Sequence, residues 1–271
     1  MSYRESRLIP FISNLASTAL ADYPALPELL PSFEASLDQV VRAGSMKSQI
    51  PDKPNETVLG HLAGEYGILT LAEGCLVACP SLAKEVNLRS FVGQVLLHDW
   101  PETVVKDHDH ATTSPHNHHL NGNKERAENK AFYLFLLPLI TNPEMADEAN
   151  LLFTEFMQKE TREARFALVF DRLAGNLQVT DQHISRIREH SGHQISMESD
   201  RIDNHISRHA KEVSLLADIF ADSALSDMAK SEWRTWFGDI FQNIYTNSGH
   251  ENLPVIQELI IKHRSLANKY E

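Results

Sequence analysis

The sequence has only two cysteines among its 271 residues, and both lie in one apolar segment, GILTLAEGCLVAC. Cys75 and Cys79 are one helical turn apart. This spacing favours a buried pair of reduced thiols over a metal site, because a zinc site needs further Cys or His ligands at matching positions. So few cysteines in a chain of this length predict a reducing compartment.

Long apolar runs are also missing. No uninterrupted apolar stretch reaches the ~18 residues typical of a membrane span, and the N-terminal MSYRESRLIPFISNL mixes charges into what would be the apolar core of a signal peptide. We therefore expect a cytoplasmic protein with no membrane partner.

Positive charge is scarce. The chain carries 25 Lys and Arg against 37 Asp and Glu, which gives a formal net charge of -12. General binding to nucleic acid requires clustered positive charge, so this composition argues against a nucleic-acid partner. A small phosphate ester remains compatible with it, provided that a metal ion or a local Arg supplies the positive charge.

No run of alternating polar and apolar residues is long enough for a sheet, and the sequence has no Gly-rich phosphate loop and no internal repeat. Nearly every periodic segment has helical spacing. The sequence therefore predicts an all-α fold in a single domain, 1–271, with a core at about 35–180 and a C-terminal helical extension at 181–271. We expect a polar, His-rich loop, KDHDHATTSPHNHHLNGN at residues 106–123, to separate the helices of this core. The predicted helices cover residues 33–43, 57–79, a short segment at 81–86, the FVGQVLLHD segment, 124–140, 144–160 and the segment that starts at Thr161.

Four ligand-type residues lie in apolar helical context: His61, His98, Asp99 and Asp171. Imidazole nitrogen and carboxylate oxygen together suit divalent Mn, Co, Zn, Fe or Mg. Taken singly, His61 could instead be a helix cap or a satisfied core group, and Asp171 an N-cap or an ion-pair partner of Arg172. The adjacent His98–Asp99 pair favours a metal, because burying both groups without a partner is costly.

The order His61, His98-Asp99, Asp171 resembles the H…HD…D signature of the HD-domain metal-dependent phosphohydrolases, and within them the bacterial 5′-deoxyribonucleotidase branch. The similarity spans residues 35 to 180. The further positions that match are Glu56 and Val58 in NETVLGH, Glu102 and Asp107 in HDWPETVVKD, Asp171 and Gln178 in DRLAGNLQ, and Arg42 in VVRAG.

This resemblance implies an HD-domain helical bundle in which the four residues above bind a divalent metal ion and Arg42 contacts substrate phosphate. Lys106 is the next candidate for the phosphate. Glu102 lies four residues after His98 and three after Asp99, which places it on the same side of a helix that Pro101 breaks or restarts. Glu102 is therefore a candidate base for the attacking water. The competing interpretation is a solvated carboxylate at a helix end. Asp107 would orient the water or protonate the leaving group.

Several departures from the branch surround the substrate pocket: Gly60 replaces a Glu, Lys106 replaces a Gly, and neither the insert 108–119 nor the stretch 181–210 has a counterpart. The His-rich insert could bind a second metal or form a lid, although a solvated loop is favoured. The predicted substrate is a small phosphate ester, above all a (deoxy)nucleoside 5′-monophosphate. The alternatives are an HD-type phosphodiesterase, a nucleoside triphosphate triphosphohydrolase or a non-catalytic nucleotide-binding regulatory protein. A homodimer is compatible with the sequence.

Overall fold

The computed structural model describes residues 35–40, 57–105, 118–189, 200, 225–246, 254, 257, 258 and 261. All regular structure within these ranges is helical and no β-strand occurs there, so the predicted all-α class is confirmed. The α-helices are, in chain order, α1 (Val58–Ala63), α2 (Ile68–Ala78), α3 (Pro80–Ala83), α4 (Leu88–His98), α5 (Glu102–Val105), α6 (His118–Ala131), α7 (Pro143–Gln158), α8 (Arg162–Glu189) and α9 (Asp227–Thr246). None of the described helices is both long and apolar enough to cross a membrane.

The chain divides into two compact units, and the three boundaries between them fall inside α2, between α3 and α4, and inside α8. The first unit comprises Met1–Glu73 and Asn87–Leu168, and the second comprises Gly74–Val86 and Val169–Glu271. The single domain with a core at 35–180 and an extension at 181–271 stays a prediction.

The single helix predicted over residues 57–79 is wrong, because the chain turns between α1 and α2. Gly64 ends α1 in an extended conformation and donates its N–H to the Gly60 carbonyl oxygen at 2.6 Å. A Cβ added to Gly64 would collide with that oxygen, and one added to Gly67 would lie 2.6 Å from the Gly64 nitrogen. The turn therefore depends on residues without a side chain, which a count of apolar periodicity does not register.

The core of the first unit forms where the chain after α6 packs against α7. The helix continues from α6 as a π-helical segment, Phe132–Leu136, and then as a 3₁₀ turn, Leu137–Leu139. The rings of Phe132 and Phe153 stack with their centroids 3.9 Å apart, and Trp100 meets Phe132 edge-on at 6.4 Å. This packing brings the segment that follows α4 onto a large aromatic cluster.

Other helix boundaries also differ from the predicted ones. Residues 118–123, predicted as part of the polar loop, form the first turns of α6, and the short helix expected at 81–86 is Pro80–Ala83. Pro80 occupies the first turn of this short helix, where its missing N–H costs no hydrogen bond. Of the helix predicted at 33–43, only residues 35–40 lie within the described ranges, and 35–37 of them are helical.

The second unit is held together by contacts between α3 and α9. Glu232 accepts hydrogen bonds from the backbone N–H and the hydroxyl of Ser81, both at 2.8 Å. Phe170 packs against Trp233 with ring centroids 5.9 Å apart.

The predicted pair of reduced thiols lies in this unit and is confirmed. Cys75 and Cys79 are both buried and free, with their sulfur atoms 3.9 Å apart. Burial raises the pKa of the Cys75 thiol far above its usual value, which keeps it protonated.

Candidate metal centre

Helix α4 carries His98 and Asp99 into the interior of the first unit. Asn87 caps its N-terminus by accepting the Ser90 N–H at 3.2 Å, and Asp99 follows its last residue. His98 is 8% exposed and Asp99 is 7% exposed. Pro101 comes two residues later, and a new short helix, α5, starts at Glu102, so the predicted restart of the helix at Pro101 is confirmed.

Polar contacts fix α4 against α7. The Gln94 amide donates to the Glu155 carboxylate at 2.9 Å, and Arg89 forms two hydrogen bonds to the Glu148 carboxylate, at 3.0 and 3.1 Å. A planar, two-pronged Arg–carboxylate contact resists rotation of one helix against the other. The two contacts lie about one turn and about two and a half turns before His98, so they set the position of the helix end that bears the candidate ligands.

The ring of His98 is oriented by two neighbours. Its Nδ1 lies 2.6 Å from the Val95 carbonyl oxygen, and its face packs on Phe156 with ring centroids 4.9 Å apart. A carbonyl oxygen can only accept a hydrogen bond, so Nδ1 must carry the proton. In the neutral imidazole the remaining nitrogen, Nε2, is then an electron-pair donor.

His98 Nε2 faces Asp99 Oδ1 at 3.1 Å. Two electron-pair donors this close repel each other unless a proton or a metal cation lies between them. Two ligand atoms that each sit about 2.1 Å from one cation, at right angles to each other, are about 3.0 Å apart. The fixed tautomer of His98, the carboxylate and their separation therefore fit two neighbouring positions around a divalent metal ion.

The structure establishes the surroundings of His61 and Asp171 only in part. His61 is completely buried in α1, and Thr57 caps that helix by accepting the Gly60 N–H at 3.1 Å, so His61 is not the cap. Asp171 lies within α8 in the second unit, which rules out an N-cap, and its carboxylate is 3.9 Å from the Arg172 guanidinium. Among the residues that the structure describes, no three His, Cys, Asp or Glu side chains form a group that could hold a metal ion. The four-residue ligand set stays a prediction.

Glu102 is buried, at 2% exposed, so the interpretation as a solvated carboxylate is wrong. Its Oε1 lies 3.2 Å from the ammonium group of Lys124, on α6. The same ammonium group lies 3.3 Å from Glu128, one turn further along α6. Burial raises the pKa of Glu128, the Asp99 carboxylate adds to this, and Lys124 and His98 oppose it.

Sequence reasoning missed Lys124 and Glu128. Both residues lie in KERAENK, the charged first part of the helix predicted at 124–140, and 21 intervening residues separate Lys124 from Glu102. The only available signal was the four-residue spacing of Lys124 and Glu128, which is common on solvated helices. Three predicted site residues, Arg42, Lys106 and Asp107, lie outside the described residues, as does the insert up to residue 117. His118 and His119, the last residues of the insert, belong to α6.

One comparison with known proteins agrees with the predicted HD-domain superfamily, whereas the 5′-deoxyribonucleotidase branch stays a prediction. The sequence profile of the HD domain matches residues 35–214, which is more than half of the chain. No curated protein and no solved structure matches the chain. The matched region contains the buried His98–Asp99 pair, Glu102, Lys124 and all four predicted ligands, and the chain therefore belongs to the HD-domain family.

Proposed function

We propose that this chain hydrolyses a (deoxy)nucleoside 5′-monophosphate and releases inorganic phosphate, with a divalent metal ion held by His61, His98, Asp99 and Asp171. HD domains are in general metal-dependent phosphohydrolases, so the coarser activity follows from the family. The observation that carries the proposal is the buried His98–Asp99 pair with its separation of 3.1 Å. The nucleotide rests on the resemblance of the motif residues to the 5′-deoxyribonucleotidase branch.

Charge explains why a cation is required. The substrate phosphate is an anion and the chain has a net charge of -12, so the site must supply local positive charge. When bound, the metal ion supplies Lewis-acid stabilisation of the negative charge on the phosphoryl oxygens. Arg42 adds a planar guanidinium, which matches two phosphate oxygens at once, and Lys106 is the second candidate for this contact.

The residues of the chain supply the proton transfers. Glu102 removes a proton from the attacking water, and its burial keeps the carboxylate out of competing contact with bulk solvent. Asp107 donates a proton to the leaving nucleoside oxygen, which would otherwise depart as a poor leaving group. We place the protein in the cytoplasm, either as a monomer or as a homodimer, with no nucleic-acid or membrane partner.

The test is hydrolysis by purified protein, loaded in turn with Mn, Co, Zn, Fe or Mg, with the products identified. Inorganic phosphate is measured by colorimetry, nucleosides, nucleotides and inorganic triphosphate by chromatography, and the aryl alcohol from the diester by absorbance. The substrates are ribo- and deoxynucleoside mono-, di- and triphosphates, an aryl phosphate diester and general phosphomonoesters. We expect the wild type to release inorganic phosphate from nucleoside 5′-monophosphates. The control Asp147→Ala, which changes an exposed carboxylate on α7, should do the same. Asp99→Ala should release none.

Other outcomes point elsewhere. Formation of inorganic triphosphate and nucleoside from triphosphates alone, or of the aryl alcohol from the diester alone, would replace the proposed activity with one of the alternative HD activities. Tight nucleotide binding without any hydrolysis product, with all five metals, would favour a regulatory protein.

A further inference from the structure

Glu102 begins α5, a helix of only four residues, and α5 packs against α6. An isolated helix of this length is unstable, because too few hydrogen bonds offset the order that its backbone requires. The side chain of Glu102 therefore needs an anchor outside its own helix if it is to hold one orientation. The 14-residue α6 provides a longer element against which it can be fixed.

Lys124 of α6 is placed to act as that anchor. Its ammonium group reaches Glu102 at 3.2 Å and Glu128 at 3.3 Å, while its side chain is 24% exposed. A lysine ammonium has three hydrogen atoms to donate, and contacts to two carboxylates on different helices restrict its long, flexible side chain. The partner on α6 is itself largely buried, with 14% of the Glu128 side chain exposed.

The two carboxylates are not equivalent. Both are largely removed from solvent, and burial raises the pKa of Glu128. Glu128 lies one turn from Lys124 on the same helix, so their contact at 3.3 Å holds the ammonium group in place beside Glu102. The Glu102 side chain is the more deeply buried of the two, at 2% exposed against 14% for Glu128.

We propose that Lys124 is a positioning residue that orients the Glu102 carboxylate towards the reacting water, and that Glu128 fixes Lys124 in turn. This inference rests on the proposed function, in which Glu102 removes a proton from that water. Lys124 and Glu128 are not part of the H…HD…D motif. They lie after the His-rich insert, between the His-Asp pair and the last Asp of that motif. Lys124 acts through Glu102 and makes no contact with the substrate.

The test is a double-mutant cycle on the steady-state kinetics of the metal-loaded enzyme. Lys124→Met should lower kcat by about 10- to 100-fold, because a misplaced reactive group costs rate steeply. KM and metal content should change by less than about twofold, since neither substrate contact nor ligands are removed. Lys124→Arg should recover part of the rate, because it restores a cation. Lys130→Met, which changes an exposed lysine on the same helix, is the matched control and should retain full activity.

The decisive arm places Lys124→Met in a Glu102→Gln background, where we expect no further loss of kcat. Independent, multiplying losses would show that Lys124 does not act through Glu102 and would overturn the proposal. A raised KM with unchanged kcat would also overturn it, because Lys124 would then bind substrate. If Lys124→Met fails to fold by circular dichroism, Lys124→Gln, which retains a hydrogen-bond donor without the charge, is tested in both backgrounds instead. A wild type that releases no phosphate from any substrate would refute the proposed function itself, whereas a fully active Lys124 variant refutes only the positioning role.

Discussion

Truncation of Phe156 to Ala tests whether packing on α7 positions the imidazole of His98. Phe156 is 8% exposed, and its ring centroid lies 4.9 Å from that of His98 with an angle of 47° between the planes. The hydrogen bond from Nδ1 to the Val95 carbonyl restrains one edge of the imidazole, whereas Phe156 restrains its face. Without the aromatic ring, His98 can tilt about this one hydrogen bond.

The expected loss of stability follows from the near-complete burial of the side chain. Truncating a buried Phe to Ala costs about 3–5 kcal/mol, because apolar surface is lost and a cavity remains. In a chain of this size each kcal/mol lowers the melting temperature by about 2–4 °C, so the melting temperature should fall by on the order of 10 °C. Groups that orient a metal-bound histidine typically contribute 10- to 100-fold to metal affinity, and we expect a loss of about tenfold.

Phe166→Ala is the matched control. Phe166 is completely buried and packs on Phe91 with ring centroids 5.0 Å apart, in the same unit as His98. Thermal unfolding should show a similar destabilisation in both variants. Titration of the folded apo-proteins with Mn, followed by calorimetry, should show weaker binding only in Phe156→Ala. Equal affinities in the two variants would refute the idea that Phe156 orients His98.

Three further predictions concern the carboxylates and the turn between α1 and α2. Glu102→Ala should retain metal and fold but lose about 10²–10⁴-fold in kcat, measured by phosphate release, because it removes only the base; near-full turnover would assign the base to Asp107 or to no residue at all. Because the pKa of Glu128 is raised in the folded state, its stabilising contribution is present below its unfolded pKa and is lost as the pH rises through the folded value. Glu128→Gln should therefore raise the melting temperature relative to wild type more at pH 7.5 than at pH 4, and an equal difference at both pH values would contradict the burial effect. Gly64→Ala should destabilise the protein by about 1–3 kcal/mol in urea unfolding, because the added Cβ meets the Gly60 carbonyl oxygen. Gly74→Ala should stabilise it by about 0.5–1 kcal/mol, because Gly74 lies inside α2 and an added Cβ has nothing within 4 Å. Stabilisation by both substitutions would show that the turn at Gly64 can adapt to a side chain.

The sequence predicted those features that depend on neighbouring residues. His98 and Asp99 are adjacent, so their convergence follows from local helix geometry, and Pro101 announces the restart of the helix before Glu102. The burial of Glu102 could be expected only because two candidate metal ligands, His98 and Asp99, precede it within one helical turn.

The prediction that was wrong and the contact that the sequence did not predict depend on backbone geometry and on tertiary packing. The turn at Gly64 and Gly67 interrupts an apolar segment whose periodicity suggested one helix, because close backbone packing selects glycine without changing that periodicity. The pairing of Lys124 with Glu102 joins two helices across the His-rich insert, and no local pattern encodes such a contact.

Metal content is the measurement that tests the central claim most directly. The wild type, Asp99→Ala and the exposed-carboxylate control Asp147→Ala are each equilibrated with a divalent metal, dialysed and analysed by elemental mass spectrometry alongside circular dichroism. The account predicts one tightly held metal ion per chain in the wild type and in Asp147→Ala, and almost none in a folded Asp99→Ala. Equal metal content in all three proteins would contradict a site built on the His98–Asp99 pair.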